Sequence, residues 1–92
     1  MGIGFETEVL EKDKTDLDIP AKVVLYDDDW HTFDEVIEQL MKALGCDYLT
    51  AEKYTMEVHT KGKAVVFEGD FEEALKVASI LEEIDLSVEI FI

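Results

Sequence analysis

The chain has 92 residues, enough for one small domain burying about 60–65% of its unfolded surface and too few for a second core. Hydrophobic residues make up 48% of it, which excludes a chain disordered throughout. Twenty-three acids against eight bases, all lysine, give a net charge of −15 that repels a phosphate backbone, excludes nucleic acid as a partner, and favours cationic ligands, basic proteins or divalent ions.

Residues 1 to 20 read as a flexible acidic arm, because Ile3, Phe5, Val9, Leu10 and Leu17 follow no sustained period among the acids and Pro20 closes the segment. The arm shows neither the basic start nor the long apolar stretch of a signal peptide. No segment approaches the roughly 20 apolar residues of a membrane span, so the expected location is cytoplasmic, with no membrane partner.

The core domain is expected over residues 21–92. Lys22 to Tyr26 is a short β-rich run read as a buried strand, which stops where Asp27, Asp28 and Asp29 begin. Thr32 and Glu35 form a capping box, and Phe33, Val36, Ile37, Leu40 and Leu44 repeat at helical spacing until Gly45 supplies a left-handed stop. Asp47 caps a second helix in which Tyr48, Ala51, Thr55 and Val58 share a face, ended by Gly62. A second strand is expected over Lys63 to Phe67. Asp70 and Glu73 make another capping box before a third helix with Phe71, Ala74, Leu75, Ala78 and Leu81 inward. The C-terminus alternates, placing Leu86, Val88, Ile90 and Ile92 on one face of a last strand. The order β-α-α-β-α-β predicts a two-layer α/β (α+β) domain, three strands covered by three helices.

Local sequence leaves the chemistry of the aspartate triplet open. Three acids at a strand exit can be a solvated turn that helps start a helix, a hard-cation site, or acceptors for an ammonium group beside an apolar pocket. His31 precedes the cap and reads as a surface residue, and Trp30 as a partly buried loop residue. His59, in the last turn of helix two, suits the carbonyl end of a helix as well as it suits a site. Cys46 is the only cysteine, so no internal disulfide is possible, and without a basic neighbour its thiol is expected to be inert. Phe33 with Val36, and Thr55 with Val58, are helix faces that periodicity alone assigns neither to core nor to pocket.

The stretches "VVLYDDDWHTFDEVIEQLMKAL", "MEVHTKGKAVV" and "EEALKVASIL" together resemble the ClpS adaptor family over roughly residues 21 to 90. The resemblance implies three strands and three helices, as the element order does. It also implies a non-enzymatic adaptor without a cofactor, a monomer that recognises N-terminal residues (N-degrons) of substrate proteins and delivers them to a Clp-type AAA+ unfoldase through that partner's N-domain. By the family pattern, Asp27, Asp28 and His59 would engage the substrate's α-amino group, while Phe33, Val36, Thr55 and Val58 would receive a bulky hydrophobic first side chain. Lys76 is the matching position for an unfoldase contact.

Departures from the pattern bear on specificity. Asp27 stands where the family usually has asparagine, which adds a charge and removes an amide donor. His31-Thr32-Phe33 replaces the common T-P-M, so a phenylalanine stands where a methionine gates the pocket, as in a divergent branch of ClpS-like proteins. Thr55 replaces a methionine and is expected to make that wall smaller and more polar. Two other readings predict different structures. A metal-dependent enzyme would gather Asp27, Asp28, His31 and His59 around an ion, and an interaction module without amine recognition would have Phe33 filling the cavity.

Overall fold

The computed structural model describes residues 19–92, so the arm expected over residues 1 to 20 lies almost wholly outside the described residues. The elements run β1 (Pro20–Tyr26), α1 (Phe33–Leu44), α2 (Tyr48–Lys61), β2 (Lys63–Asp70), α3 (Phe71–Glu82) and β3 (Val88–Phe91). β1 is the central strand of an antiparallel sheet ordered β2-β1-β3. Its alternate residues Ala21, Val23 and Leu25 face the helices and join Ile37, Leu40, Ala51 and Leu81 in the core. Val24 is also buried, on the opposite face of the sheet, where it pairs with Val65.

The local signals position these elements. Thr32 accepts from Glu35 N–H at 3.1 Å and the Glu35 carboxylate accepts from Thr32 N–H at 2.8 Å, closing the capping box of α1. Gly45, at φ 67°, ends α1, and Gly62, at φ 90°, ends α2 in the left-handed region where a side chain would be strained. Asp47 and Asp70 each cap the following helix, from Thr50 N–H and Glu73 N–H at 3.0 Å. No helix among the described residues is long and apolar enough to cross a membrane.

Several boundaries and faces differ from the sequence expectation. β1 begins at Pro20, a position a strand tolerates at its first residue, and β2 continues to Asp70 because Glu68, Gly69 and Asp70 pair with Lys22, Ala21 and Pro20. In α3 the buried stripe is Ala74, Val77, Ala78 and Leu81, while Leu75 lies a third of a turn away and is exposed. Tyr48 is exposed at the start of α2, outside the stripe of Ala51, Thr55 and Val58. Ile92 is 81% exposed because β3 ends at Phe91, before the alternation reaches it. Gln39 is buried on α1, where its amide donates to the Ile80 carbonyl at 2.6 Å and to the Glu83 carboxylate at 3.1 Å, tying α1 to the end of α3.

Candidate functional site

The carboxyl end of β1 and the end of α2 meet at one point. Asp27 N–H donates to the Gly62 carbonyl at 2.9 Å, so the left-handed turn that stops α2 also holds the strand exit beside it. That contact places the Asp27 carboxylate 4.0 Å from His59 Nδ1, outside hydrogen-bond reach but across one opening. Below the opening, between the start of α1 and the last turns of α2, lies a cavity of about 200 Å³. Phe33, Val36, Thr55 and Val58 form its walls, Leu25 and Leu86 also line it, and Asp27, Asp28, Asp29 and His59 stand around it. This volume is below the roughly 300–1,000 Å³ of clefts for drug-sized ligands and is on the scale of one bulky side chain.

Phe33 does not fill the cavity. It is 37% exposed and stands edge-on to His59, with ring centroids 5.3 Å apart, so the two rings flank the entrance. Thr55 was expected to add polarity, but its hydroxyl donates to the Ala51 carbonyl of its own helix at 2.8 Å, which removes that donor from the cavity. Lys76 lies exposed on α3 and does not line the cavity.

His31 departs most from expectation. Instead of a surface residue it is a side chain only 3% exposed, with Nδ1 2.7 Å from Asp28 Oδ2 and Nε2 2.5 Å from the Ile84 carbonyl. Trp30, expected to be partly buried, is 62% exposed and lies against His31 with the rings tilted by 34° and centroids 3.8 Å apart. Asp28 Oδ1 accepts the Trp30 and His31 N–H groups at 3.0 and 2.8 Å, an Asx turn that carries the chain from β1 towards the α1 cap. Asp85 adopts φ 62°, a conformation Asp tolerates better than most residues, in the reversal that follows the Ile84 carbonyl.

Both groups of this pair favour their charged forms. Burial alone pushes the Asp28 carboxyl up, but hydrogen bonds from the His31 backbone and ring and from Trp30 N–H outweigh it and hold the group below the ordinary 3.8. Burial pushes His31 down, yet the Asp28 and Ile84 hydrogen bonds and the charges of Asp28 and Glu35 prevail and raise it above the ordinary 6.5. A raised histidine stabilises the fold fully below 6.5 and loses that contribution as pH climbs through its folded value, while a depressed aspartate contributes fully above 3.8 and loses it as pH falls. The melting-temperature gap between the protein and Asp28→Asn is therefore expected to be widest between those two values and to narrow on either side. A gap that stays constant from pH 3 to pH 9 would contradict the ion pair.

Among the described residues, no three His, Cys, Asp or Glu side chains are arranged to hold a metal ion. The His31 nitrogens expected as ligands under the enzyme reading both face protein acceptors. Cys46 is half-buried with Sγ 4.0 Å from the Leu40 carbonyl, and burial pushes its thiol pKa up, in keeping with an inert thiol.

Comparison with known proteins places the chain in a family. The family model for the ATP-dependent Clp protease adaptor protein ClpS matches residues 18–88. The chain belongs to the ClpS family. It is 38% identical over 61 residues to the ATP-dependent Clp protease adapter protein ClpS of Vibrio atlanticus (strain LGP32), a match covering 64% of this chain and 58% of the relative. It is also 39% identical over 59 residues to the E3 ubiquitin-protein ligase UBR1 of Drosophila melanogaster, covering 64% of this chain and 3% of the relative. The match thus spans less than two thirds of either relative's length. Among solved structures, Agrobacterium tumefaciens ClpS2 bound to L-phenylalaninamide superposes with a TM-score of 0.74 at 22% identity, covering 79% of this chain and 95% of that one. At that identity the likeness is one of fold, and it agrees with the β-α-α-β-α-β order of this ClpS-family chain.

Proposed function

We propose that the chain is an adaptor that binds the free N-terminus of substrate proteins and delivers them to a Clp-type AAA+ unfoldase. The observation that carries this reading is a cavity of about 200 Å³ with apolar walls from Phe33, Val36 and Val58 and with Asp27, Asp28 and His59 around it. An N-terminal residue is a cation on a short tether from its own side chain. Acceptors beside an apolar hole read both features together, because desolvating the ammonium is offset only where carboxylates or an imidazole lone pair replace its water. In this reading Asp27, Asp28 and His59 accept from the α-amino group and the first side chain enters between α1 and α2. The role is one of binding and delivery, not catalysis. Family membership supports the adaptor role, and the phenylalaninamide bound by the structural neighbour supports a bulky apolar first residue. Lys76, exposed on α3, is the proposed unfoldase contact.

Fully burying a Leu or Phe side chain contributes about 1.5–3 kcal/mol, and each charge-assisted hydrogen bond about 1.5–3 more before ordering costs, so micromolar affinity, about −8 kcal/mol, is within reach. The test is a peptide panel identical except at the first residue. Peptides beginning with Phe, Leu, Tyr or Trp are expected to bind at least about tenfold more tightly than those beginning with Gly or Ser, from the side-chain burial alone. Calorimetry that finds no preference for the first residue would remove the pocket from the mechanism.

A further inference from the structure

Two of the three carboxylates beside the cavity, Asp27 and Asp28, differ in what they already hold. Asp28 accepts three hydrogen bonds, two from backbone N–H groups at Oδ1 and one from His31 at Oδ2, out of about four lone-pair sites on a carboxylate. The Asp27 carboxylate makes no hydrogen bond among the described residues, and its nearest possible cation is His59 at 4.0 Å. His31 explains the difference. Both of its ring nitrogens face acceptors, Asp28 Oδ2 and the Ile84 carbonyl, in a side chain only 3% exposed. A neutral imidazole would set a lone pair against one of those oxygens, whereas an imidazolium donates to both.

We propose that His31 is a positioning residue of the ammonium site: as an imidazolium it fixes the Asp28 carboxylate and offsets its charge, leaving Asp27 as the anion that a ligand's ammonium meets. The inference rests on the amine-binding reading of the same cavity. The groups facing His31 are Asp28 from the turn after β1, Glu35 from α1, the Ile84 carbonyl from the α3–β3 connection, and the tilted Trp30 ring. Glu38, exposed on α1 and not lining the cavity, serves as the control for a general loss of negative charge.

The experiment titrates L-phenylalaninamide into the full chain and its variants by calorimetry. Asp27→Asn is expected to lower affinity at least about tenfold and Glu38→Gln less than about threefold, the difference between losing and keeping a charge-assisted contact. In a His31→Gln background the Asp28 charge is no longer offset and takes over the attraction, so Asp27→Asn is expected to cost less than about threefold there. Equal costs in the two backgrounds would overturn the proposal, because a His31 that merely supports the fold leaves the two substitutions additive. A second arm needs no ligand. Nitrogen NMR of the His31 ring is expected to show both nitrogens protonated at pH 7, and a single neutral Nε2–H tautomer in Asp28→Asn, whose amide can donate to Nδ1. A neutral His31 in the unsubstituted protein overturns the positioning role whether or not phenylalaninamide binds. Absence of binding beside a doubly protonated His31 instead overturns the amine-binding reading on which the role depends.

Discussion

N-acetylation of a Phe-initial peptide is expected to lower its affinity by about 10²- to 10⁴-fold, the loss of two charge-assisted hydrogen bonds at about 1.5–3 kcal/mol each. Acetylation leaves the phenylalanine side chain and the rest of the peptide unchanged. It removes the positive charge and leaves one N–H where the ammonium had three donors, so Asp27, Asp28 and His59 would face a ligand with almost nothing to give them. The acetyl group must also enter the opening flanked by Phe33 and His59. Side-by-side titrations of the free and acetylated peptides measure the effect directly. Equal binding would mean that the aspartates take no part, and the cavity would then read side chains alone.

Leu40→Ala is expected to destabilise the fold by about 2–5 kcal/mol, a large share of the roughly 5–15 kcal/mol that holds a small domain together. Leu40 is fully buried on α1, within the core that α1 shares with β1, α2 and α3. Truncation removes its contacts and leaves a void that close-packed neighbours relax into only partly. For a domain of this size that corresponds to a melting temperature lower by at least about 10 °C. Because the same helix carries Phe33 and Val36, binding by the folded fraction should weaken as well, though less than stability does. A melting temperature unchanged within 2 °C would place Leu40 outside the cooperative core.

Much of this was legible because the deciding interactions are short in sequence. The capping box of Thr32 and Glu35, the glycine stops at positions 45 and 62, and the β-rich run of Lys22 to Tyr26 depend on neighbours within a few residues, and each recurs in the structure. Element ends were less legible. Where β1 and β2 stop depends on what each strand finds opposite, and Ile92 is exposed because β3 runs out of partner before the apolar alternation ends. Leu75 shows a different limit: it is as apolar as its neighbours, and only the orientation of α3 on the sheet leaves it facing water.

The candidate site divides in the same way. Its acidic residues and the V-H-T-K-G-K-A stretch could be picked out through their likeness to a family pattern, but local periodicity could not say whether Phe33, Val36, Thr55 and Val58 enclose a space or fill one. The burial of His31 was not legible, because its second acceptor is the carbonyl of Ile84, 53 residues away in sequence. The Asp-x-x-His spacing of Asp28 and His31 was the one local signal, and it gains meaning only when the α3–β3 connection closes over the ring. By itself the sequence determined which elements form, where the helices start, where the first two stop, and that three carboxylates crowd the exit of the first strand, since propensity, capping and charge act within one or two turns of chain. Only the tertiary structure decided that the cavity stays open beside Phe33 and that, among the described residues, the Asp28 carboxylate is hydrogen-bonded while that of Asp27 has only His59 at 4.0 Å, because open space and charge pairing depend on side chains brought together from distant parts of the chain.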